Sequence, residues 1–431
     1  MKFTRVFAFM ALAGLTGSAF ATNGYFSHGY GMKAKGMGGA ATASYDDAFS
    51  GANNPAAAAF VGNRLDLGAD LFSPRREASR TGLGPFDFSA DSDSKYFIIP
   101  EFGYNRMVNS NLAMGITVYG NGGMNTDYPG GQLDAGMCTG GAPNGMPANA
   151  LCGAGSLGVD LMQLIIAPTA AYKIAPNHSL GISPLLGYQR FKAEGLHAFG
   201  AATMDAGNLT NRGYDDSFGY GVRIGYMGKI TPTITIGAAY ASKMQFEEFS
   251  KYSGLFAEQG DFDIPENYNL GVAWQATPVL KLALDYQRIN YSSVASVSNP
   301  STNAFIPAPL GADNGPGFGW SDIDVWKLGV EYKYSGNLTL RAGYNHGDNP
   351  VTARDVTFNI LAPGIIKDHA TLGFTYTLAS GNELTVSYMH AFKNDVTGTS
   401  ILPAFSGNPP SGTEKIDMYQ NSLGVQYSWK M

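Results

Sequence analysis

The sequence predicts an all-β protein, a 14-stranded antiparallel transmembrane β-barrel whose N-terminal segment forms a hatch, or plug, in the barrel lumen. Three observations lead to this prediction. Only 14% of the 431 residues are charged, against about 25% in a soluble domain, whereas 56 are glycine and 12% are aromatic. Apolar and polar residues alternate along most of the chain, and short turns alternate with long loops. The 28 basic and 34 acidic residues argue against a nucleic-acid partner, which would need a basic face.

Residues 1–21 are predicted to be a signal peptide. A positively charged start precedes an apolar run, residues 6–15, and the Ala-Phe-Ala sequence at 19–21 supplies a cleavage site. The alternative, an anchoring helix, fits less well because the apolar run is too short to cross a bilayer. The exported chain should therefore begin at Thr22.

Residues 22–62 do not alternate and are rich in glycine and alanine. They are too polar for lipid and too small to form a core of their own, but irregular backbone is tolerated inside a barrel, where protein buries it. We therefore predict a lumenal hatch here and the barrel at 63–431. Asn54, Pro55 and Ala56 should hold a turn of the hatch, because asparagine bonds local backbone and proline fixes φ. The alternative is that these residues merely end a helix before the first strand.

The barrel prediction depends on alternation with a period of two residues. Trp326, Leu328 and Val330, for example, alternate with Lys327 and Gly329. The same pattern gives 14 strands, an even number as closed bacterial barrels have. They are predicted near 64–72, 96–107, 112–120, 159–173, 179–194, 217–229, 233–249, 266–275, 279–291, 324–334, 338–347, 368–378, 383–392 and 418–430.

The connections and the aromatic residues support a membrane barrel rather than a soluble β-sandwich. Short turns follow the even-numbered strands and long loops follow the odd-numbered ones, which is the outer-membrane pattern. Each strand that runs towards a short turn or the C-terminus carries an aromatic residue near that end: Tyr104, Tyr172, Tyr226, Trp274, Tyr332, Tyr376 and Tyr427. Aromatics repeated at both strand ends form two interfacial girdles, which a sandwich does not need.

Two cysteines agree with an exported protein. Cys138 and Cys152 lie in one stretch rich in glycine, proline and asparagine, and in an oxidising compartment they are predicted to form a disulfide. No histidine or further cysteine lies near them, so no metal site is predicted.

The N-terminal segment also carries a family resemblance. It contains the run Gly-Met-Gly-Gly-Ala-Ala-Thr-Ala at 36–43, Asp-Asp-Ala at 46–48 and Asn-Pro-Ala at 54–56. These motifs resemble the hatch of the FadL/TodX (OmpP1) family of outer-membrane transporters for long-chain fatty acids and hydrocarbons. The resemblance implies a barrel in the outer membrane of a Gram-negative bacterium and passive uptake with no cofactor, ATP or metal. It also implies a first binding groove among the extracellular loops, an apolar lumen pocket and a sideways exit through a break in the third strand.

The functional hypothesis is therefore passive uptake of hydrophobic molecules, long-chain fatty acids first and aromatic or alkane hydrocarbons as the alternative. The plug and the apolar loop segments 256–257 and 305–307 support it. A general diffusion porin is less favoured because it keeps a water-filled lumen. An enzyme is not predicted, since no G-x-S-x-G motif occurs and the six histidines are scattered. The expected partners are hydrophobic small molecules, outer-membrane lipid and lipopolysaccharide, with the chain acting as a monomer.

The lateral exit is predicted at Gly115, Tyr119 and Gly120. Alternate residues from Leu112 to Val118 share one face, whereas Tyr119 falls in the opposite register and Gly120 follows it. Glycine within a strand often marks a bulge or kink. The alternative is that Tyr119 simply points into the lumen.

The polar end of the substrate site is predicted at Arg190, with Lys192 as a weaker second cation. Arg190 follows Tyr188 by two residues and Lys192 follows by two more, which resembles the family pattern in which this arginine pairs with the fatty-acid carboxylate. Arginine suits that role because its planar fork binds carboxylate bidentately. Parity alone leaves Arg190 on the lipid side, so the prediction requires a bulge. The alternative is a basic pair that contacts headgroups at the outer rim.

Overall fold

The computed structural model describes residues 23–138, 147–305 and 308–431, so the predicted signal peptide lies outside the described residues. The chain forms a closed antiparallel barrel, as predicted, because the last strand pairs with the first from Arg64–Lys430 to Thr81–Thr413. Its 14 wall strands are β1 Arg64–Thr81, β2 Phe97–Met107, β3 Leu112–Tyr128, β4 Leu157–Ala175, β5 His178–Glu194, β6 Asp215–Lys229, β7 Ile234–Ala241, β8 Asn267–Thr277, β9 Leu280–Ile289, β10 Ile323–Lys333, β11 Leu338–Gly347, β12 Asp368–Thr377, β13 Glu383–Thr399 and β14 Thr413–Lys430.

Short elements occupy the N-terminal segment and the loops. Two further strands, Phe88–Asp91 and Gln245–Phe246, add to the loop side of the sheet. The α-helical turns are Met32–Lys35, Ser50–Asn53, Ala58–Val61, Ala257–Gly260, Ala295–Ser298 and Val356–Asn359. The 3₁₀ turns are Pro55–Ala57, Gly84–Phe86, Ala135–Met137, His197–Phe199, Ala206–Asn208, Ser250–Tyr252, Tyr291–Ser293, Ser301–Phe305, Ala353–Asp355 and Leu402–Ser406. None of the helices in the described ranges is long and apolar enough to cross a membrane.

The strand faces follow the alternation in the sequence. Trp326 and Leu328 on β10 are about half exposed, at 52% and 50%, whereas the intervening Lys327 is buried. Outward apolar residues of this kind contact lipid, and the inward residues face the lumen. The alternation therefore separates a lipid face from a lumen face around the whole ring.

Strand lengths differ from the prediction where strands leave the lipid band. β1 continues to Thr81 and β14 begins at Thr413, and the two remain paired along that extension. A ribbon outside lipid needs no apolar face, so its sequence lacks the expected pattern. β7 ends early at Ala241, because the following residues turn inward and Phe246 packs over the lumen side of Gly187 and Gly219.

The N-terminal segment, residues 23–62, lies inside the ring and is buried along almost its whole length. It contacts strands on opposite sides of the lumen near the ends that carry the short turns. The backbone N–H of Ala48 donates to Asp66 on β1, that of Ala41 to Asp285 on β9, and that of Met32 to Gln426 on β14. We call this segment the hatch below.

Cys138 and Cys152 are joined by a disulfide with a Cα–Cα distance of 5.2 Å. The bridge lies in the long loop between β3 and β4. It links the two halves of that loop beyond the lipid band.

Candidate functional site

Buried ion pairs hold the hatch in the lumen. The Lys35 Nζ lies 2.6 Å from a carboxylate oxygen of Glu101 and 3.0 Å from one of Asp70, and all three side chains are at most 5% exposed. Lys33 pairs with Glu383 at 2.7 Å. Burying a charge costs free energy, which an ion pair of this kind offsets. These contacts therefore fix the position of the hatch relative to the wall.

The Asn54–Pro55–Ala56 turn is hydrogen-bonded both to another part of the hatch and to the barrel wall. Asn54 is fully buried, and its Nδ2 donates to the carbonyl oxygens of Thr42 at 2.8 Å and Tyr226 at 2.9 Å. Its Oδ1 accepts from the Ala56 N–H at 3.1 Å. Asn54 also ends the helix Ser50–Asn53, so it fits both roles that the sequence allows.

Two wall glycines make room for this turn, and sequence reasoning missed them. A Cβ on Gly181 of β5 would lie 2.3 Å from the Pro55 carbonyl carbon, and one on Gly225 of β6 would lie 2.1 Å from the Asn54 Oδ1. Only glycine permits so close an approach of the hatch to the wall. The sequence signal that could have identified them is a pair of glycines at lumen-facing positions of neighbouring strands.

The wall is interrupted between β2 and β3. These strands pair only from Met107–Ala113 to Phe102–Val118, and β3 shifts register against β4 between Gly120 and Gly122. Beyond Val118, β3 pairs with β4 alone among the strands described, until the Asp93 N–H donates to the Asp127 carbonyl at 2.7 Å. We call the opening between residues 97–101 and 119–126 the lateral gap.

The hatch covers the inner side of the lateral gap. Phe26 forms a β-bridge with Gly122, and the Ser27 N–H donates to the Asn121 carbonyl at 3.0 Å. The Tyr30 OH donates to the Asn121 Oδ1 at 3.2 Å. These contacts close the gap on its lumen side.

The predicted exit residues occupy different parts of this region. Tyr119 points into the lumen, where its ring lies 4.1 Å from that of Tyr30 and its OH accepts from Arg223 at 3.1 Å. The inward alternative for Tyr119 and the bulge beyond Gly120 are thus both present. Gly115 lies outside the gap, in the paired part of β3, where a Cβ would meet the Tyr104 carbonyl at 2.6 Å. A bulky residue at Gly115 would disturb the wall itself.

An apolar cavity lies beneath the long loops. It combines wall residues of β4 and β5 with residues of five loops, and its lining includes Leu151, Val159, Phe191, Leu196, Phe256, Phe318 and Phe358. The ring centroids of Phe191 and Phe256 are 4.7 Å apart. The cavity volume is about 40 Å³, far below the ~300–1,000 Å³ of typical ligand pockets. The aromatic side chains therefore fill most of the space that the loops enclose. Of the two apolar loop segments singled out in the sequence, 256–257 contributes here, and the side chains of 305–307 lie outside the described part.

Arg190 and Lys192 lie apart from this cavity. β5 pairs with β4 without a register shift from Leu186 to Glu194, so the bulge that would turn Arg190 inward does not occur. The Arg190 guanidinium stacks 3.8 Å from the Tyr214 ring centroid, and Lys192 pairs with Glu194 at 3.0 Å. Strand parity keeps both cations on the outer face, where their side chains are 31% and 29% exposed. This geometry is the outer-rim alternative.

The loop between β7 and β8 carries a carboxyl with an unusual pKa. Burial, and then the neighbouring Asp263 carboxylate, raise the pKa of Asp261 to about 7. The adjacent Phe262 ring packs against Phe256 at 4.8 Å, so the ionisation of Asp261 is linked to one wall of the cavity.

This pKa predicts that the loop loses stability as the pH rises. An unfolded aspartate releases its proton near pH 4, whereas the folded loop holds it to about 7. Folding is therefore disfavoured progressively between those values. After correction for intrinsic rates, amide exchange in residues 242–266 should be faster at pH 7.5 than at pH 5. The Asp261→Asn variant should lose this dependence; an unchanged pH profile in that variant would contradict the assignment.

The fold is shared with solved outer-membrane transporters. A Pseudomonas aeruginosa FadL homologue aligns with a TM-score of 0.70 and 16% identity, over 94% of this chain and 99% of that one. The P. putida toluene transporter TodX aligns with a TM-score of 0.67 and 18% identity, again over 94% and 99%. The CymD monoaromatic hydrocarbon channel gives 0.58 and 16%, over 96% and 99%. No curated protein matches the sequence.

The family assignment comes from the sequence match. Residues 11–427 match the family described as outer membrane protein transport protein (OMPP1/FadL/TodX). With the 14-stranded barrel, this match places the protein in the outer membrane of a Gram-negative bacterium. The family consists of transport channels for hydrophobic compounds and not of enzymes. The chain belongs to the OMPP1/FadL/TodX family of outer-membrane transport proteins.

Proposed function

We propose that this protein mediates passive uptake of hydrophobic molecules, with long-chain fatty acids as the substrate class. The observation that carries the proposal is the apolar cavity under the loops, placed above a lumen that the hatch occupies. Apolar side chains favour an oily ligand by about 25 cal/mol per Å² buried. The hatch, in turn, hinders water-soluble solutes.

The proposed route runs from the loops to the cavity and then to the lateral gap. A ligand displaces the aromatic side chains around Phe191 and Phe256, moves along the lumen, and leaves sideways into the bilayer between β2 and β3. Displacement of Phe26 and Tyr30 of the hatch opens the inner side of the gap. The incomplete β2–β3 pairing and the bulge after Gly120 support this route. Transport follows the concentration gradient and uses no cofactor.

A neutral hydrocarbon is the second candidate substrate. Ser296 is the only residue with a polar side chain that lines the cavity in the described part of the chain, and its hydroxyl donates to the carbonyl oxygen of Asp261. Similar structures include a toluene transporter and a monoaromatic hydrocarbon channel. A cavity without a charged side chain suits such molecules.

We also propose how the chain is processed on export and what its outer rim contacts. Residues 1–21 are removed on export, residues 22–62 act as the hatch, and residues 63–431 form a monomeric barrel. Arg190 and Lys192 lie at the outer rim, where their charge suits the phosphates of lipopolysaccharide.

An uptake panel tests this function. Cells that lack their own hydrophobe transporter would express the chain and receive labelled oleate, hexadecane or toluene. We expect faster accumulation of at least one of them than in cells carrying the empty vector. No gain for any of the three, with the protein folded in the outer membrane, would contradict the proposal.

A further inference from the structure

One lumen cation, Arg76, forms no ion pair with the described residues, and Asp160 acts on it only through longer-range electrostatics. Arg76 on β1 points inward and is only 5% exposed. Its two Nη atoms donate to the backbone carbonyl oxygens of Asn125 and Ser94, at the upper edge of the lateral gap. Its Nε has no hydrogen-bond partner within the described ranges. The guanidinium is thus held only by neutral acceptors, with the Phe97 ring centroid 6.0 Å away.

Among the other buried cations of the lumen, five form ion pairs and two are held by neutral groups. Each of five pairs with at least one carboxylate: Lys33, Lys35, Arg64, Arg80 and Arg341. Arg223 lacks an acid but bonds Tyr119 and the Ala52 carbonyl, and Lys327 bonds the His28 carbonyl. Burying a guanidinium without an anion costs free energy. Arg76 combines such burial with an unused donor.

A second unused donor lies beside it. The register shift in β3 turns Thr126 and Tyr128 towards the lumen. Tyr128 is fully buried, its OH has no hydrogen-bond partner among the described residues, and its phenol oxygen interacts electrostatically with Arg76. The Nε–H of the Arg76 guanidinium and the phenol O–H of Tyr128 are therefore two buried donors that no acceptor among the described residues engages.

This region adjoins the apolar cavity. Thr126 pairs across the sheet with Val159, and its Oγ donates to the carbonyl oxygen of Leu361 at 2.8 Å. Both Val159 and Leu361 line the cavity. The strand partner of Tyr128 is Leu157, two residues from Val159 on the same face of β4. The Arg76 and Tyr128 donors therefore lie next to the wall of the apolar cavity.

We infer that Arg76 and Tyr128 form a carboxylate-binding site for a substrate whose apolar chain lies in the cavity. The inference rests on the proposed uptake function and names its substrate class, hydrophobic monocarboxylic acids. The carboxylate takes charge-assisted bonds from the Arg76 guanidinium in place of the two backbone carbonyls, and one bond from the Tyr128 OH. The site also lies at the edge of the lateral gap, so the acid is held next to its exit.

The test compares an acid with its neutral ester. Purified protein in lipid nanodiscs would be titrated with dodecanoate and with methyl dodecanoate, which share one apolar chain. We expect Arg76→Met to weaken dodecanoate binding by about tenfold or more and to leave ester binding unchanged. Tyr128→Phe should weaken dodecanoate binding to a smaller extent without lowering the thermal stability, because that hydroxyl makes no bond in the ligand-free protein. Arg190→Ala, an arginine of the outer rim, is the matched control and should bind both ligands normally.

Three results would overturn the inference. Equal weakening of acid and ester in Arg76→Met would make Arg76 a structural tie between Asn125 and Ser94. Unchanged dodecanoate binding in both variants, or displacement of dodecanoate by millimolar inorganic phosphate, would also reject a site for acid substrates. If Arg76→Met does not fold, Tyr128→Phe decides alone. Failure of the unmodified protein to bind either ligand would instead contradict the proposed function.

Discussion

Replacing Lys35 by methionine is expected to release the hatch and to raise the ionic conductance of the barrel in planar bilayers. The substitution leaves Asp70 and Glu101 buried without a cation, since Lys35 is the only cation within ion-pair distance of either in the described ranges. Removing one partner of a buried ion pair costs about 3–5 kcal/mol. This loss should destabilise the docked hatch rather than the barrel, because the wall strands keep their backbone hydrogen bonds.

Lys33→Met is the matched control for this experiment. Lys33 belongs to the same helical turn and is buried to a similar degree. Its partner Glu383, however, keeps Arg64 at 3.2 Å and Lys430 at 2.5 Å, so a smaller change is expected. Equal conductance in the two variants, or no rise in Lys35→Met, would show that the Lys35 pairs do not hold the hatch.

Deleting Asn121 is expected to reduce uptake of hydrophobic molecules to the level of cells without the protein. Asn121 is the extra residue between Gly120 and Gly122 at the register shift. Its loss would join the two paired halves of β3 without changing their partners on β4. Because a bulge bends its strand away from regular pairing, the straightened β3 should close on β2 and seal the lateral gap.

Asn121→Ala separates the bulge from the side chain. This variant keeps the backbone of the bulge but loses the bonds that Asn121 makes with Tyr30 at 3.2 Å and Gln163 at 3.1 Å. It should retain most of the uptake, and both proteins should show the heat-modifiable migration of a folded barrel. Normal uptake after the deletion, or an equal loss of uptake in Asn121→Ala, would show that the bulge itself is not needed for transport.

The wall of the barrel was predictable because one physical constraint acts on every strand. Lipid outside and a packed lumen inside impose a period of two, as around Trp326 and Lys327. Beyond the lipid band that constraint ends. The paired extensions of β1 and β14, where Arg75 faces Tyr419, therefore carry no comparable signal.

The functional residues were less predictable, because several arise only from the packing of distant segments. Asn54 was identifiable from its local turn chemistry, whereas the Phe191 cavity draws on five loops that no periodicity relates. Arg190 shows the opposite case: its parity with Tyr188 indicated the outer face, and the assumed bulge was wrong. Arg76 gave no sequence signal, since its distinguishing feature is an unused Nε donor and the want of an ion pair among the described residues.

Photocrosslinking with a fatty acid that carries a diazirine near its methyl end tests the lateral route most directly. The labelled positions would be mapped by mass spectrometry on the unmodified protein in outer membranes. A lateral route predicts labels around the cavity, at Phe191 and Phe256, and along the lateral gap, at residues 97–101 and 119–126. Labels on the lumen side chains near the short turns, such as Lys281 and Glu331, with none along the gap, would contradict it.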